Sequence, residues 1–297
     1  MQSSRIIKRR IKTTKNIRQI TKAMEMVAAS KMRKAQMQAT SSKPYSNKLQ
    51  ESLRRLASST DTHSHPLLKT NKSGKNIAIL IGPDKGLTGG MISNLLKEAD
   101  MFAGTKNGNG DFEFITVGKK AREYAIKMGF DIMAEFSNMA DNLSFEETLP
   151  ISKLILDGYQ DGTYKDVCVI YMDFISTLVQ KSNLNQILPI SVDPLLAPPE
   201  TPEKLIEKDV AGRYEYIFEP SAQEILDWLL PYYVEVQIYQ TILEAKASEH
   251  SARMVAMKGA SDNAGEIISD LTLAYNKSRQ ANITNELLDI TTATYTS

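Results

Sequence analysis

The sequence predicts an α/β protein in which long N- and C-terminal helices form an antiparallel coiled coil and flank a mainly parallel, Rossmann-like α/β domain. Residues 1–43 contain neither glycine nor proline, and no proline follows Pro231, so both ends can form long helices. Between them, short apolar runs alternate with helical stretches, which is typical of parallel sheets. The predicted divisions are residues 1–58 for the first helix, 76–194 for the α/β domain and 220–297 for the closing helix.

The N-terminal helix has apolar residues at steps of three and four, the spacing of a helix wound against another helix. Pro44 is expected to kink or interrupt it, because proline lacks an N–H and its ring clashes with the carbonyl four residues earlier. Helical spacing then resumes through Leu49, Leu53 and Leu56. The predicted apolar stripe consists of Ile7, Ile11, Ile17, Ile20, Met24 and Val27.

The first 34 residues are strongly basic. They hold eleven lysines and arginines against the single acid Glu25, a net charge of +10, although the whole chain carries only +1. Three interpretations stay open: a solvated helix face, a nucleic-acid site, or a surface for a protein with acidic loops. Nucleic acid fits the charge, but no aromatic residue precedes Tyr45 to stack on bases.

The central region predicts a mainly parallel sheet with right-handed crossovers. A proline-rich connector at 194–202 comes after it, Tyr214–Phe218 is a further strand candidate, and Pro220-Ser221 begins the closing helix. Cys168, the only cysteine, lies within an apolar run and is predicted to be a buried strand residue. The predicted strands are Ile77–Ile81, Phe112–Val117, Phe130–Ala134, Val167–Asp173 and Asn185–Ile190, and the predicted helices are Met91–Ala103, Lys119–Met128 and Phe145–Tyr159.

The glycine-rich stretch Gly82–Gly90 lies between a predicted strand and a predicted helix, where a phosphate-binding loop would lie. Its spacing fits neither a Walker loop nor the dinucleotide pattern, so a turn with tight backbone packing is the better interpretation. Asp84 and Asp173 lie near strand ends, where they could be a catalytic pair or simple turn caps. An α/β enzyme would need one of these sites to be complete, and neither pattern is.

Two histidines, His63 and His65, fall in the polar stretch 58–75. Their spacing could serve a metal ion, but no third ligand is nearby, and solvated loop side chains are the favoured interpretation. We therefore expect no metal and no cofactor. No apolar run reaches the length of a transmembrane helix.

The closing helix combines an apolar seam with an unusually polar segment, residues 276–286. The polar segment is either an exposed helix face or a set of contacts to a surrounding protein, with Arg279 able to fork onto a carboxylate. The predicted seam consists of Ala264, Ile268, Leu271, Tyr275, Ile283, Leu287 and Ile290.

Three stretches together are distinctive of one family. They are residues 17–32 (IRQITKAMEMVAASKM), residues 247–257 (ASEHSARMVAM) and the polar segment 276–286. They closely resemble the two terminal helices of the γ subunit of F-type ATP synthases, the central stalk of F1. The turn at Asp84–Gly90 is similar to that family's first strand-to-helix turn.

The resemblance implies a rotary shaft that couples proton flow through Fo to conformational change at the β-subunit catalytic sites for ATP synthesis, and that regulates ATPase activity. Its terminal helices would pass through the α3β3 ring. The implied partners are the α and β subunits, the ε subunit and the c-ring, without nucleic acid. Membrane contact would occur only through the complex, on the cytoplasmic face of the bacterial plasma membrane. The shaft would hold no catalytic residue, cofactor or metal.

The resemblance also implies site residues. By position, Arg279, Gln280, Thr284 and Glu286 match polar contacts near the catch loops of the ring. In the family, one stretch of the first helix faces the acidic lever segment of β. Its positions correspond here to Met24 and the neighbouring cations Lys22, Lys31 and Arg33.

The sequence departs from the family pattern at two places. Ala293-Thr294 stands where Gly-Ala is expected near the end of the closing helix, and Thr88 replaces a frequent cysteine. The paired-cysteine insert of photosynthetic relatives is absent, which excludes that kind of thiol switch.

Overall fold

The computed structural model describes residues 4–59, 65–106, 112–191, 219 and 221–295. The chain forms two compact units. The smaller comprises Met1–Ser30, Leu87–Gly89 and His250–Ser297, and the larger comprises Lys31–Gly86 and Gly90–Glu249. The connector 194–202, the strand candidate Tyr214–Phe218 and His63 lie outside the described residues. Within the described part of the chain, no helix has both the length and the hydropathy needed to cross a bilayer.

Ten helices and strands make up the regular structure that the described residues form, together with two 3-10 turns at Pro66–Leu68 and Glu146–Thr148. In chain order they are α1 (Ser4–Ser59), β1 (Lys75–Ile81), α2 (Met91–Lys106), β2 (Phe112–Val117), α3 (Lys119–Met128), β3 (Ile132–Phe136), α4 (Leu149–Gln160), β4 (Tyr164–Phe174), β5 (Gln180–Leu188) and α5 (Ala222–Tyr295).

The smaller unit pairs the first part of α1 with the second part of α5. A Cβ added to Gly265 would lie 3.4 Å from the guanidinium carbon of Arg18. Arg10, earlier on α1, shares a cleft with Leu271, later on α5. The earlier residue on α1 thus lies beside the later residue on α5. The two helices are therefore antiparallel, as the sequence predicts.

The inward face of α1 matches the predicted stripe only in part. Ile17, Ile20 and Val27 are 48%, 60% and 56% exposed, whereas Ile7 and Ala28 are buried. Between Ile7 and Ala28, the half-buried positions include Ile11, Thr14, Thr21 and Glu25. The seam therefore combines three members of the predicted stripe, Ile7, Ile11 and Met24, with small and polar side chains, and the other three members face outward.

The predicted seam of α5 is correct only in part. Ala264 is buried and Ile268, Leu271 and Tyr275 are half-buried, but the later members of the seam are exposed. The antiparallel register places the start of α1 near residue 278 of α5, so no described residue of α1 lies opposite the last part of α5. The exposed members are Ile283 (48%), Leu287 (58%) and Ile290 (63%).

The larger unit is built on a five-stranded sheet in the order β3-β2-β1-β4-β5. The first four strands are parallel, which confirms the mainly parallel sheet, and β5 runs antiparallel to β4. Six of the seven residues of central β1 are buried. Ile79 pairs with Ile115 on β2 and with Val169 on β4.

Several element boundaries differ from the prediction. β5 begins at Gln180 rather than residue 185, because a tight turn pairs Ser176 with Val179 and sets the hairpin register. β3 begins at Ile132 rather than Phe130, and β4 extends beyond its predicted range at both ends. The predicted helix from Phe145 is a 3-10 turn followed by α4.

The expected interruption at Pro44 was wrong: α1 runs through it as one helix. Both Pro44 and Thr40 are exposed, so water can satisfy the carbonyl that loses its helical hydrogen bond. The helix continues through Leu49, Leu53 and Leu56, as their spacing predicted, and all three are buried.

The start of α5 is fixed by the side chain of Ser221, which caps the helix. The hydroxyl of Ser221 accepts the Glu224 N–H at 3.2 Å and donates to the Glu224 carboxylate at 3.0 Å. The helix begins one residue after Ser221, at Ala222, and Pro220 lies outside the described residues.

His65 is not a solvated loop residue, contrary to the favoured interpretation. It is buried, and its Nδ1 accepts the Leu67 N–H at 3.1 Å, which caps the 3-10 turn Pro66–Leu68. Its Nε2 lies 3.6 Å from the Asp227 carboxylate. The described residues contain no cluster of His, Cys, Asp or Glu that could hold a metal ion. Cys168 is buried in β4, as predicted.

Candidate functional site

The four predicted contact residues of α5 are exposed on the smaller unit. Arg279 and Glu286 are seven residues apart and lie on one side of the helix, with Gln280 and Thr284 on the adjoining side. The Thr284 hydroxyl donates to the Gln280 carbonyl at 3.0 Å. The charged and amide groups of this face can therefore reach another protein without breaking that helical contact.

The predicted residues of α1 are divided between the two units. Lys22 and Met24 belong to the smaller unit, whereas Lys31 and Arg33 belong to the larger. Lys22 pairs with Glu25 at 3.0 Å, and Met24 is half-buried. Arg33 is exposed.

Lys31 has a partner that sequence reasoning missed. Its ammonium group lies 2.7 Å from the Asp141 carboxylate, and both side chains stay about half exposed. An ion pair in such a solvated position contributes little stability. Asp141 is 110 positions away in the chain, so no local pattern could have identified it.

Exposed apolar residues adjoin the predicted polar ones. On α5 they are Ile283 and Leu287, and on α1 they are Ile17, Ile20 and Val27. The spacing of three and four indicated that they share a face, but it was assigned to the internal seam. Exposed apolar residues at that spacing are typical of a surface that another protein covers.

The glycine-rich turn has the structural role that its spacing suggested. A Cβ on Gly118 would overlap the Gly82 carbonyl oxygen, and one on Gly82 would lie 3.2 Å from the Ala121 nitrogen. The turn adjoins a cavity of about 40 Å³, a volume far too small for a nucleotide.

The two predicted acids have separate surroundings. Asp84 accepts backbone N–H groups from Lys119 at 3.1 Å and from Asn138 at 3.2 Å, so it caps α3 and fixes the chain after β3. Asp173 lies at the end of β4. Burial raises the pKa of Glu244, and the negative charge of Asp173 raises it further. The turn-cap interpretation is thus correct for Asp84.

Within the turn, the segment Leu87–Gly89 belongs to the smaller unit. Thr88 is 2% exposed, and a Cβ on Gly89 would lie 3.7 Å from that of Ala256 on α5. Among the described residues, the buried Thr88 hydroxyl has no hydrogen-bond partner.

Comparison with known proteins decides the family. A family model described as ATP synthase matches residues 3–295. The ATP synthase gamma chain of Dehalococcoides mccartyi is 43% identical over 293 residues, 98% of this chain and 97% of the relative. The chain belongs to the ATP synthase gamma chain family. Gamma chains from Roseiflexus sp. (strain RS-1) and Chloroflexus aurantiacus are 41% and 40% identical over the same shares of each chain.

Solved structures share the fold. The rotor of Euglena gracilis mitochondrial ATP synthase matches with a TM-score of 0.62 at 16% identity, over 95% of this chain and 99% of that one. The central stalk and c-ring structure of the Tetrahymena thermophila mitochondrial enzyme contains a chain that matches with a TM-score of 0.58 at 24% identity, over 82% and 99%.

Family membership confirms the resemblance and the function that it implied. The chain is the central rotary shaft of an F1Fo ATP synthase and part of a membrane-associated complex.

Proposed function

We propose that this shaft has no catalytic residue of its own and acts by contacting the α3β3 ring through its two terminal helices. The supporting observation is the exposure of Arg279, Gln280, Thr284 and Glu286 on one part of α5. The Arg279 guanidinium can form two parallel hydrogen bonds to a carboxylate, and the Gln280 amide can both donate and accept.

The basic part of α1 supplies a second proposed contact. Lys22, Met24, Lys31 and Arg33 would face an acidic segment of β, which the charge of +10 over the first 34 residues would attract. Lys31 stays available for this contact although it pairs with Asp141, because an exposed ion pair exchanges readily with solvent and other anions.

The exposed apolar residues would supply binding free energy. Covering Ile17, Ile20 and Val27 on α1, with Ile283 and Leu287 on α5, removes apolar surface from water at about 25 cal/mol per Å². The polar residues would then set the rotational position at which contact is best.

Rotation would act through differences in contact. The two helices present different side chains around their axis, so each β subunit would meet a different surface at each angle. Only such a difference in contact free energy can shift a conformational equilibrium, and a rotation by one third of a turn would pass the favoured state to the next β subunit.

The remaining partners are proposed from the related complexes. The Euglena structures include a complex described as OSCP, F1 and c-ring, and the Tetrahymena structure pairs the central stalk with the c-ring. We propose that this chain likewise binds the α and β subunits, the ε subunit and the c-ring. Its place would be the cytoplasmic face of a bacterial plasma membrane, since identity is 40–43% to the Roseiflexus, Dehalococcoides and Chloroflexus chains and 16–24% to the mitochondrial ones.

Reconstitution tests the proposal directly. The purified chain, mixed with α and β subunits, is expected to form a stable α3β3γ complex that hydrolyses ATP, while the chain alone shows no turnover. ATP hydrolysis by the isolated chain, or failure to assemble with the ring, contradicts the proposal.

A double substitution tests the α5 face. Arg279→Ala combined with Gln280→Ala is expected to lower coupled ATP synthesis about fivefold or more, the range of typical coupling free energies. The thermal unfolding midpoint stays unchanged because both side chains are exposed. Asp262→Ala with Asn263→Ala, another exposed pair on α5, is the matched control. Equal rates in the two double variants would remove Arg279 and Gln280 from the contact site.

A further inference from the structure

One loop of the larger unit is held by both terminal helices. Residues 137–145 connect β3 with the 3-10 turn that precedes α4. The loop begins beside the sheet, where the Asn138 N–H donates to the Asp84 carboxylate at 3.2 Å. Leu143, near its other end, is 1% exposed and belongs to the main core. Both ends of the loop are thus fixed to the α/β domain.

The α1 helix contacts the loop twice. Lys31 pairs with Asp141 at 2.7 Å, and about two turns further along the helix the Gln38 amide donates to the Leu143 carbonyl at 3.1 Å. These contacts lie on the part of α1 that belongs to the larger unit. The helix therefore holds the loop at two points of its length.

The α5 helix contacts the same loop with the ammonium group of Lys246, a half-buried residue. Lys246 donates to the Met139 carbonyl at 3.1 Å and to the Ala140 carbonyl. About two turns earlier, the Tyr239 hydroxyl donates to the Leu143 carbonyl at 3.3 Å. The ring of Phe145 packs edge-on against Tyr239, with centroids 5.6 Å apart.

The Lys246 contacts are the strongest of the set by their chemistry. Burial lowers the pKa of Lys246, and the carboxylates of Glu249, Asp141, Asp84 and Glu147 oppose that shift. A partly buried charge is stabilised by its hydrogen bonds, and a charged donor forms a stronger hydrogen bond to a carbonyl than a neutral donor does. The acceptors are backbone carbonyls, so side-chain rotation in the loop cannot release them.

We propose that the 137–145 loop is the strap that transmits torque between the α/β domain and the two helices, with Lys246 as its principal positioning residue. The proposal rests on the rotary function and goes beyond it by locating one internal link. Rotation of the helices against the sheet would stretch contacts from both helices to one loop, so neither helix could turn alone. A loop that merely fills space would not need a donor from each helix.

The test uses the complete F1Fo complex in vesicles. Lys246→Met keeps most of the side-chain volume but removes the charged donor, and Lys246→Arg retains it. The matched control is Lys153→Met, at an exposed position on α4. Two quantities are measured: amide hydrogen exchange of residues 137–145, and the ratio of ATP synthesis to uncoupled ATP hydrolysis.

Lys246→Met is expected to accelerate exchange in the loop about tenfold or more, from the loss of a charged hydrogen bond. The synthesis-to-hydrolysis ratio should fall about two- to thirtyfold, the range seen for residues that carry coupling. Lys246→Arg should restore both quantities, and Lys153→Met should leave both unchanged.

Two results would overturn the proposal. Unchanged exchange in Lys246→Met means that the contacts do not hold the loop, and faster exchange with an unchanged ratio means that the loop carries no torque. Tyr239→Phe, which removes the hydroxyl that donates to the Leu143 carbonyl, gives the same test if Lys246→Met does not fold. Failure of the unmodified chain to couple would count against the proposed ring contacts and would be seen before any variant is made.

Discussion

The two units of this chain are stabilised in different ways. Among the described residues, the largest fully buried side chains, such as Tyr159, Phe114 and Leu53, all lie in the larger unit. The smaller unit buries mainly small residues, including Ala28, Ala252 and Ser261 on its helices, and leaves large apolar side chains outside.

This difference assigns most of the folding stability to the larger unit and much of the proposed partner surface to the smaller unit. Burial of large apolar groups is the main source of folding free energy, so the larger unit carries most of it. The smaller unit uses its large apolar side chains on the outside, where the proposed ring contacts lie. A unit of this kind is expected to open more easily and to gain stability when a partner covers it.

The largest effect is expected from truncating a core residue. Ile79→Ala, at a fully buried position of β1, should lower the free energy of unfolding by about 2–5 kcal/mol because it leaves a cavity. Ile20→Ala in the smaller unit, where the side chain is 60% exposed, should change it by less than about 0.5 kcal/mol. Urea unfolding of both variants measures the contrast, and equal losses would mean that Ile20 is buried after all.

Two glycine substitutions, one in each unit, should change the free energy of unfolding in opposite directions. Gly118→Ala would place a Cβ against the Gly82 carbonyl oxygen at a residue with φ +92°. We therefore expect the free energy of unfolding to fall by about 1–3 kcal/mol. Gly259→Ala, on α5 with open space around it, should instead gain about 0.5–1 kcal/mol through helix propensity. Thermal unfolding of the two variants measures whether each one loses or gains stability.

The larger unit should lose stability in acid through His65. Burial lowers its pKa below the ordinary 6.5, although Asp227 acts in the opposite direction and Lys69 in the same one. Because the folded state favours the neutral ring, this contribution is complete above pH 6.5 and is lost as pH falls through the folded pKa.

His65→Asn supplies the control for that prediction. An asparagine side chain can still accept the Leu67 N–H as a cap but does not titrate. The variant should therefore show a flatter decline of unfolding free energy between pH 7 and pH 5. An identical slope in both proteins would show that His65 does not contribute to the acid sensitivity.

A small gain in stability is expected at the unsatisfied hydroxyl of the smaller unit. Thr88→Val removes a buried oxygen that has no partner among the described residues and keeps the shape of the side chain, so it should stabilise by about 1 kcal/mol. Thr88→Ser, which keeps the hydroxyl and loses a methyl group, should destabilise. A loss of stability in Thr88→Val would indicate that the hydroxyl is satisfied.

Much of the larger unit could be predicted from the sequence. The buried run at Ile77–Ile81, the helix Lys119–Met128 and the strand Phe112–Val117 agree with the observed elements closely, because continuous apolar runs and glycine boundaries are local signals. The boundaries of β5 were missed because the hairpin turn at Ser176–Val179 has neither glycine nor proline to mark it.

The candidate site was only partly predictable. Exposure of Arg279 and Gln280 could be expected from their polarity, but the outward position of Ile17 and Ile20 could not. Helical spacing shows which residues share a face and leaves open whether that face points inward. Which face of α1 turns inward is set by its packing on α5, and this depends on both helices together.

The sequence alone determined the order of helices and strands, the basic charge of the first helix and the family, since each depends on local pattern or on residue identity. The tertiary structure decided which helix faces meet, that His65 is a buried cap, and that Lys31, Gln38, Tyr239 and Lys246 converge on one loop. These contacts join residues about 100 positions apart, and only the folded backbone brings them within hydrogen-bonding distance.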